Sequence, residues 1–349
     1  MVFHSIIPAG GVGSRLWPLS RAEHPKFLTD FTGSGLSLLQ ETYKRLEGLA
    51  HTHTIVTGNK HASAVAAQVP GARVLVEPSP RGTMPAIALA AAVIMREDPD
   101  AVVGSFAADH YIRDEHAFAQ AVTRAIEAAN NGYITTIGIQ PDCPSTAYGY
   151  IEHGDALDVP GAYCAASFVE KPDAALALQY LDSGNYFWNA GMFIMRADVL
   201  MDNLERQRPD IAQPIGEIAN AWQTPEYEAV CERLWHDIPN TVIDRVIAEP
   251  CASEGSVAVV PVSMGWSDIG DYDSLADITH DADTQENVLA IDSPNSLVLG
   301  ANKPVVLLGI EGAVVVETPD ALLVTRRECA QDVKKIVERL SENGWEHLC

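Results

Sequence analysis

Up to about Ile139, short runs of apolar and β-branched residues alternate with helix-like segments. The runs predict strands at Phe3–Ala9, Thr54–Thr57, Arg73–Val76, Ala101–Ala107 and Tyr133–Ile139. Helices are predicted between them, near Ser37–Leu49, Lys60–Gln68, Thr83–Arg96 and Glu115–Asn130. Alternation of this kind specifies an α/β fold, a mainly parallel sheet with helices on both faces. Such sheets bind ligands beyond the carboxyl ends of their strands.

From Gly149 to about Ala282 the pattern is mixed, with helices predicted near Asp198–Arg208 and Pro225–Trp235. This reads as an elaboration packed on the same sheet. After Asp283 the runs NVLAID, NSLVLG, PVVLLGI, AVVVET and ALLVTR recur closely, followed by a polar helix over Ala330–Asn343. Closely spaced short strands predict a small β-solenoid or sandwich used for packing or oligomerisation. The expected domains are therefore 1–282 and 283–349. The most apolar stretch, Met84–Met95, is too short to span a bilayer and reads as a buried helix.

The chain has 349 residues, with 23 Lys and Arg against 47 Asp and Glu, a net charge of -24. That balance argues against wrapping nucleic acid or lying on an anionic membrane. An anionic substrate must then meet a local concentration of positive charge. The six cysteines are scattered without a CxxC pair, which predicts thiols rather than a disulfide framework or zinc site. The acidic balance favours a cytoplasmic protein, and the opening MVFHSIIPAGG has no basic lead and too short an apolar run for a signal peptide.

One such concentration follows the first strand, in IIPAGGVGSRLWPLSRAEHPKFL. Gly10, Gly11 and Gly13 can let backbone N–H groups converge on an anion, and Arg15, Arg21 and Lys26 add charge within a dozen residues. The stretch is neither GxxxxGK[ST] nor GxGxxG, because Leu16 stands where the third glycine would be. Trp17, Leu19 and Phe27 are poor choices for a solvated loop, so a polyphosphate site is expected.

Four further stretches carry candidate chemistry. In VEPSPRGTMPAIALA, Glu77 ends a strand and Thr83 is a plausible helix N-cap. A carboxylate at Glu77 can accept the paired N1–H and N2–H of guanine, which adenine and the pyrimidines do not offer. Asp109 in SFAADHYI and Asp268 in MGWSDIGDY are hard oxygen ligands suited to Mg²⁺. Glu170 and Lys171 in SFVEKPD, with Asn189 and Gly191 in YFWNAGMFIM, suit sugar hydroxyls and a sugar phosphate. Gly149 in STAYGYIEH allows close backbone approach to a ligand.

These motifs occur in order from Ile6 to Tyr272 and resemble those of the sugar-nucleotide pyrophosphorylases, most closely the GDP-mannose-forming branch. The resemblance implies a Rossmann-like nucleotidyltransferase domain followed by a small left-handed β-helix used in dimer contacts. It implies nucleotidyl transfer from GTP to α-D-mannose 1-phosphate, giving GDP-mannose and pyrophosphate with Mg²⁺. Carried onto these positions, Gly10, Gly11, Gly13, Arg15 and Lys26 hold the triphosphate, with Arg15 and Lys26 catalytic. Glu77 and Gly82 border the base; relatives using pyrimidine nucleotides tend to have Gln at the position of Glu77. Asp109 and Asp268 share Mg²⁺, and Gly149, Glu170, Lys171 and Asn189 contact the sugar phosphate. One departure is Arg81-Gly82-Thr83-Met84-Pro85, where the family commonly has Arg-Asn-Thr-Ala-Pro. The competing expectations are the same chemistry with glucose 1-phosphate and UTP or dTTP, and a catalytically silent nucleotide-binding regulatory subunit.

Overall fold

The computed structural model describes residues 1–279 and 287–349, and its chain divides into two compact units. The first comprises Met1–Gly10, Tyr43–Ala108 and Ile112–Trp266; the second comprises Gly11–Thr42, Asp109–Tyr111 and Ser267–Cys349. The boundary expected between residues 282 and 283 lies outside the described residues.

The described residues of the first unit form a nine-stranded sheet. Its strands are β1 (Phe3–Ala9), β2 (Thr52–Gly58), β3 (Arg73–Glu77), β4 (Val102–Ser105), β6 (Ile134–Ile139), β7 (Tyr150–Ala156), β8 (Tyr163–Val169), β9 (Tyr186–Arg196) and β10 (Val257–Val262). The two-residue strands β5 (Tyr111–Ile112) and β11 (Trp266–Ser267) lie outside it. The order is β3-β2-β1-β4-β9-β6-β10-β8-β7. Parallel pairing joins β3, β2, β1 and β4, and again β6 and β10. Between these blocks β9 runs antiparallel to both β4 and β6.

The helix Thr83–Glu97 explains the apolar run. From Met84 to Ile94 every residue is buried, because the helix packs against the sheet's Ile6, Val56 and Leu75 and also meets the helices Ala197–Gln207 and Pro209–Ala221. A helix covered all round has no need of a polar face. No described helix is long and apolar enough to cross a membrane.

In the second unit β12 (Val288–Ile291) pairs in parallel with β14 (Val305–Leu308), and β13 (Leu297–Leu299) with β15 (Ala313–Glu317). Val288 faces Val305 and Leu297 faces Val314, the same sequence offset in both pairs, as stacked solenoid coils require. The final strand β16 (Leu322–Arg326) returns antiparallel on β15. The expected C-terminal helix divides into a 3₁₀ segment Arg327–Val333, an α-helix Lys334–Leu340 and a last 3₁₀ turn Ser341–Asn343.

This unit also contains the glycine-rich stretch. Leu16, Trp17, Phe31 and Leu38 share its core with Tyr272, Leu297, Val314 and Val316. The Tyr272 hydroxyl donates to the carbonyls of Leu16 (2.8 Å) and Trp17 (3.1 Å), and Trp17 Nε1 donates to Leu348 O at 2.8 Å. Trp17 therefore anchors the stretch, while Gly11 is exposed and Gly13 half-buried.

Candidate active site

The candidate residues fall into three separate groups, one within the second unit and two within the first. In the second unit Gly13 has φ 79°, and a Cβ there would lie 2.7 Å from Lys26 Cβ. Glycine thus lets the loop close over the lysine stem, and Lys26 N donates to Val12 O at 3.0 Å. The buried Lys26 ammonium donates to Asp109 Oδ2 at 2.7 Å and to the carbonyl oxygen of Asp268. One cation therefore holds both proposed metal-binding residues. Burial alone would raise the Asp109 pKa, but the charges of Lys26 and His110, with the Lys26 hydrogen bond, hold it below its ordinary value.

Of the other two cations in the loop, Arg21 is used structurally. Its guanidinium forks onto both oxygens of Asp320 at 2.6 Å each. Arg15 makes no ion pair among the described residues, and its Nε is buried without a hydrogen-bond partner. Among the described residues, no atom beyond the two chain neighbours lies within 4 Å of the Cβ position at Gly11. Beside Asp268, a Cβ at Gly270 would stand 3.3 Å from both carboxylate oxygens.

Among the described residues, no group of three or more His, Cys, Asp and Glu side chains is placed to hold a metal. A pair of carboxylates still fits Mg²⁺, which takes one or two from the protein and completes its shell with water and phosphate oxygens.

The second group lies at the carboxyl ends of β1 and β3. Glu77 is only 6% exposed, and its Oε1 lies 3.8 Å from the Cβ position of Gly10. Burial pushes the Glu77 pKa up to about 7. The following turn is held by the segment before Asp244: Trp235 Nε1 donates to Ser79 O at 2.7 Å, and Thr241 N to Arg81 O at 2.9 Å.

Gly82 accounts for the departure noted in the sequence. Its φ of 80° and ψ of −177° belong to glycine almost alone, and a Cβ would lie 2.2 Å from Thr241 O. Asparagine there would clash with the backbone. Gly82 itself is the N-cap of the following helix, so the expected cap at Thr83 is corrected. The Thr83 hydroxyl instead accepts a hydrogen bond from Ile243 N at 3.2 Å.

The third group contains Gly149, Glu170, Lys171 and Asn189. A Cβ at Gly149 would stand 2.8 Å from Glu170 Oε2, so glycine makes room for the carboxylate. Asn189 N donates to Gly149 O at 2.8 Å, beside the irregularity in the β6–β9 pairing. Lys171, with a left-handed φ of 45°, places Nζ 2.9 Å from Glu170 Oε1.

The structure adds Asp244 to this group. Asn189 Nδ2 donates to Asp244 Oδ1 at 2.6 Å. Burial raises the Asp244 pKa, and the charge of Glu170 acts in the same direction. Its signal in TVIDRVIAEP is weaker than that of Asn189: Asp244 follows an apolar pair but stands next to Arg245 and shares the stretch with Glu249.

The chain matches two family models, "Nucleotidyl transferase" over residues 4–285 and "MannoseP isomerase/GMP-like beta-helix domain" over residues 286–340. Mannose-1-phosphate guanylyltransferase RfbM of Salmonella typhimurium is 39% identical, covering 98% of this chain and 73% of its own length. Mannose-1-phosphate guanylyltransferase of Klebsiella pneumoniae is 38% identical, covering 97% of this chain and 74% of that protein. A solved Thermus thermophilus structure named mannose-1-phosphate geranyltransferase aligns with a TM-score of 0.86 and 29% identity, over 98% of this chain and 100% of that one.

Proposed function

This chain belongs to the nucleotidyl transferase family, and we propose that it transfers the guanylyl group of GTP to α-D-mannose 1-phosphate, releasing pyrophosphate and forming GDP-mannose. The observation that carries the reading is Lys26 holding the Asp109 carboxylate and the Asp268 carbonyl together behind the Gly11–Gly13 loop. The names of the relatives support the choice of sugar and nucleotide. So does the buried Glu77 carboxylate, whose two oxygens match two adjacent guanine N–H donors.

In this reading an oxygen of the sugar phosphate attacks the α-phosphorus in line as the bond to pyrophosphate breaks. The attacking oxygen is already ionised, so no general base is needed. The obstacle is repulsion between two polyanions in a chain of net charge -24. Rate enhancement then comes from alignment and charge compensation. The Arg15 guanidinium and the Lys26 ammonium offset charge on the departing pyrophosphate, and Gly10, Gly11 and Gly13 give its oxygens access to backbone N–H groups. Asp109 and Asp268 would hold Mg²⁺, which supplies further charge neutralisation on phosphate oxygens. Glu170 and Asn189 bind the sugar, with Gly149 leaving room beside them, and Lys171 holds its phosphate.

We further propose that the enzyme works as a cytoplasmic homodimer joined through its β-solenoid. Pyrophosphate release, measured across nucleoside triphosphates and hexose 1-phosphates with and without Mg²⁺, tests the catalytic reading. The expected result is Mg²⁺-dependent release with GTP and mannose 1-phosphate. A preference for UTP or dTTP with glucose 1-phosphate would overturn the Glu77 assignment, and no release with any pair would identify a silent subunit.

A further inference from the structure

Asn189 has three of its four amide hydrogen-bonding positions filled by the protein. Oδ1 accepts from Gly191 N at 3.1 Å and from the Thr136 hydroxyl at 3.2 Å, while Nδ2 donates to Asp244 Oδ1 at 2.6 Å. A backbone N–H can only donate, so the Gly191 bond fixes Oδ1 on its side and holds the amide in one orientation, with Nδ2 toward Asp244. Among the described residues, nothing takes the second Nδ2 hydrogen. Asn189 can therefore offer a ligand a donor, and its acceptor capacity is already spent.

Asp244 has the complementary capacity. Among the described residues, no other side chain hydrogen-bonds its carboxylate, and the residue is only partly buried. It opens a π-helical turn, Asp244–Ala248, of a kind often found at functional sites. The turn is fixed from its N-terminal side by the bond from Ile243 N to Thr83 Oγ1. Glu170 is near enough to raise the cost of ionising Asp244, while Lys171 offsets part of it. Two neighbouring carboxylates repel a phosphate and accept hydroxyl hydrogens.

We propose that Asp244 is a specificity-determining residue: its carboxylate accepts a hydrogen from one hydroxyl of the sugar and turns Asn189 so that the remaining amide N–H donates to a sugar oxygen. The assignment rests on the sugar-phosphate reading of Glu170, Lys171 and Asn189. It also orients the substrate, because the ring hydroxyls belong on the Asp244 side and the phosphate on the Lys171 side. In Asp244→Asn the bond from Asn189 can persist while the face offered to the ligand changes from acceptor to donor.

The test is steady-state kinetics of the full chain and of Asp244→Asn with GTP and mannose 1-phosphate, together with its 2-, 3-, 4- and 6-deoxy analogues. For mannose 1-phosphate the variant should raise KM about 10- to 100-fold, the range for a hydrogen bond to a charged group. Its kcat and its KM for GTP should change little. One deoxy analogue, lacking the hydroxyl that Asp244 reads, should be used equally well by both proteins. A uniform ratio across all the sugars, or an equal rise in the KM for GTP, would overturn the assignment while leaving the functional reading intact. A wild-type protein that uses no hexose 1-phosphate would overturn both. If Asp244→Asn does not fold, Asp244→Ser carries the same comparison.

Discussion

Lys26 Nζ lies 2.7 Å from Asp109 Oδ2 and hydrogen-bonds the Asp268 carbonyl as well, so a single buried cation organises the residues assigned to phosphate and metal. Removing either charge leaves its partner uncompensated. Asp109→Asn should fold, because Lys26 retains the Asp268 carbonyl, and should lower kcat/KM about 100- to 1,000-fold, as loss of a transition-state electrostatic contact does. Chelation should abolish turnover of the wild type and added Mg²⁺ should restore it. The variant should need more Mg²⁺ for half-maximal rate, which a metal titration of pyrophosphate release measures. Full Mg²⁺-dependent turnover in Asp109→Asn would refute the metal assignment.

Glu77 predicts a pH dependence of nucleotide binding. Its carboxyl titrates at about 7, and only the ionised form presents two acceptors to guanine. The KM for GTP should therefore rise as pH falls below about 7, by up to tenfold per pH unit, and Glu77→Gln should flatten that profile. Stability moves the other way. An acid whose pKa is raised on folding binds its proton more tightly in the folded state. Its favourable contribution is present below the unfolded value, near 4.5, and is lost as pH rises through about 7. Glu77→Gln should accordingly be more stable than wild type at pH 8, by on the order of 2–3 kcal/mol, and show no such advantage at pH 4. Urea titrations at the two pH values measure the difference.

Gly82 separates a backbone requirement from a ligand contact. A side chain there meets both an unfavourable dihedral region and a carbonyl 2.2 Å away. Gly82→Ala and Gly82→Asn should each destabilise the protein by about 3 kcal/mol, from strain and clash together. Equilibrium unfolding measures the loss. Wild-type stability in Gly82→Asn would show that the turn relaxes easily and that glycine is not required by this packing.

Some of this site is legible in the sequence because its residues stand out locally. Asn189 is a polar amide in an apolar strand, Glu77 closes the apolar run of β3, and Asp109 follows another apolar run. Strand β1 is predicted with its observed bounds, since β-branched runs and glycine punctuation are also local. Long-range partners are not legible in this way. Nothing near Trp17 reveals that its indole will bond Leu348, or that Arg21 will serve Asp320 rather than a phosphate. The direction of β9 is hidden too, because an apolar run reads alike in parallel and antiparallel sheets. Asp244 carries a local signal but becomes meaningful only when β9 brings Asn189 within hydrogen-bonding distance. At Gly82, the sequence shows the departure from the family pattern, and only the fold shows the carbonyl that requires it.

The proposed dimer follows from the outward side of β12 and β14. Leu289 is paired with Val306 and Ile291 with Leu308, and these side chains are 55%, 62%, 46% and 67% exposed, respectively. Their neighbours Val288, Ala290 and Val305 pack inward against the solenoid core, so the alternation along each strand leaves a second apolar face in water. A strongly acidic chain repels its own copies, and an uncharged patch is where that repulsion is least opposed to contact. A two-fold axis through such a patch lets it cover itself, which a single charge would prevent. Leu289→Lys combined with Leu308→Lys should therefore convert dimer to monomer in light scattering after gel filtration. Pyrophosphate release per chain should persist, since neither residue belongs to the proposed catalytic groups. A wild type that is monomeric at micromolar concentration, or a double variant that remains dimeric, would show that this face is not the interface.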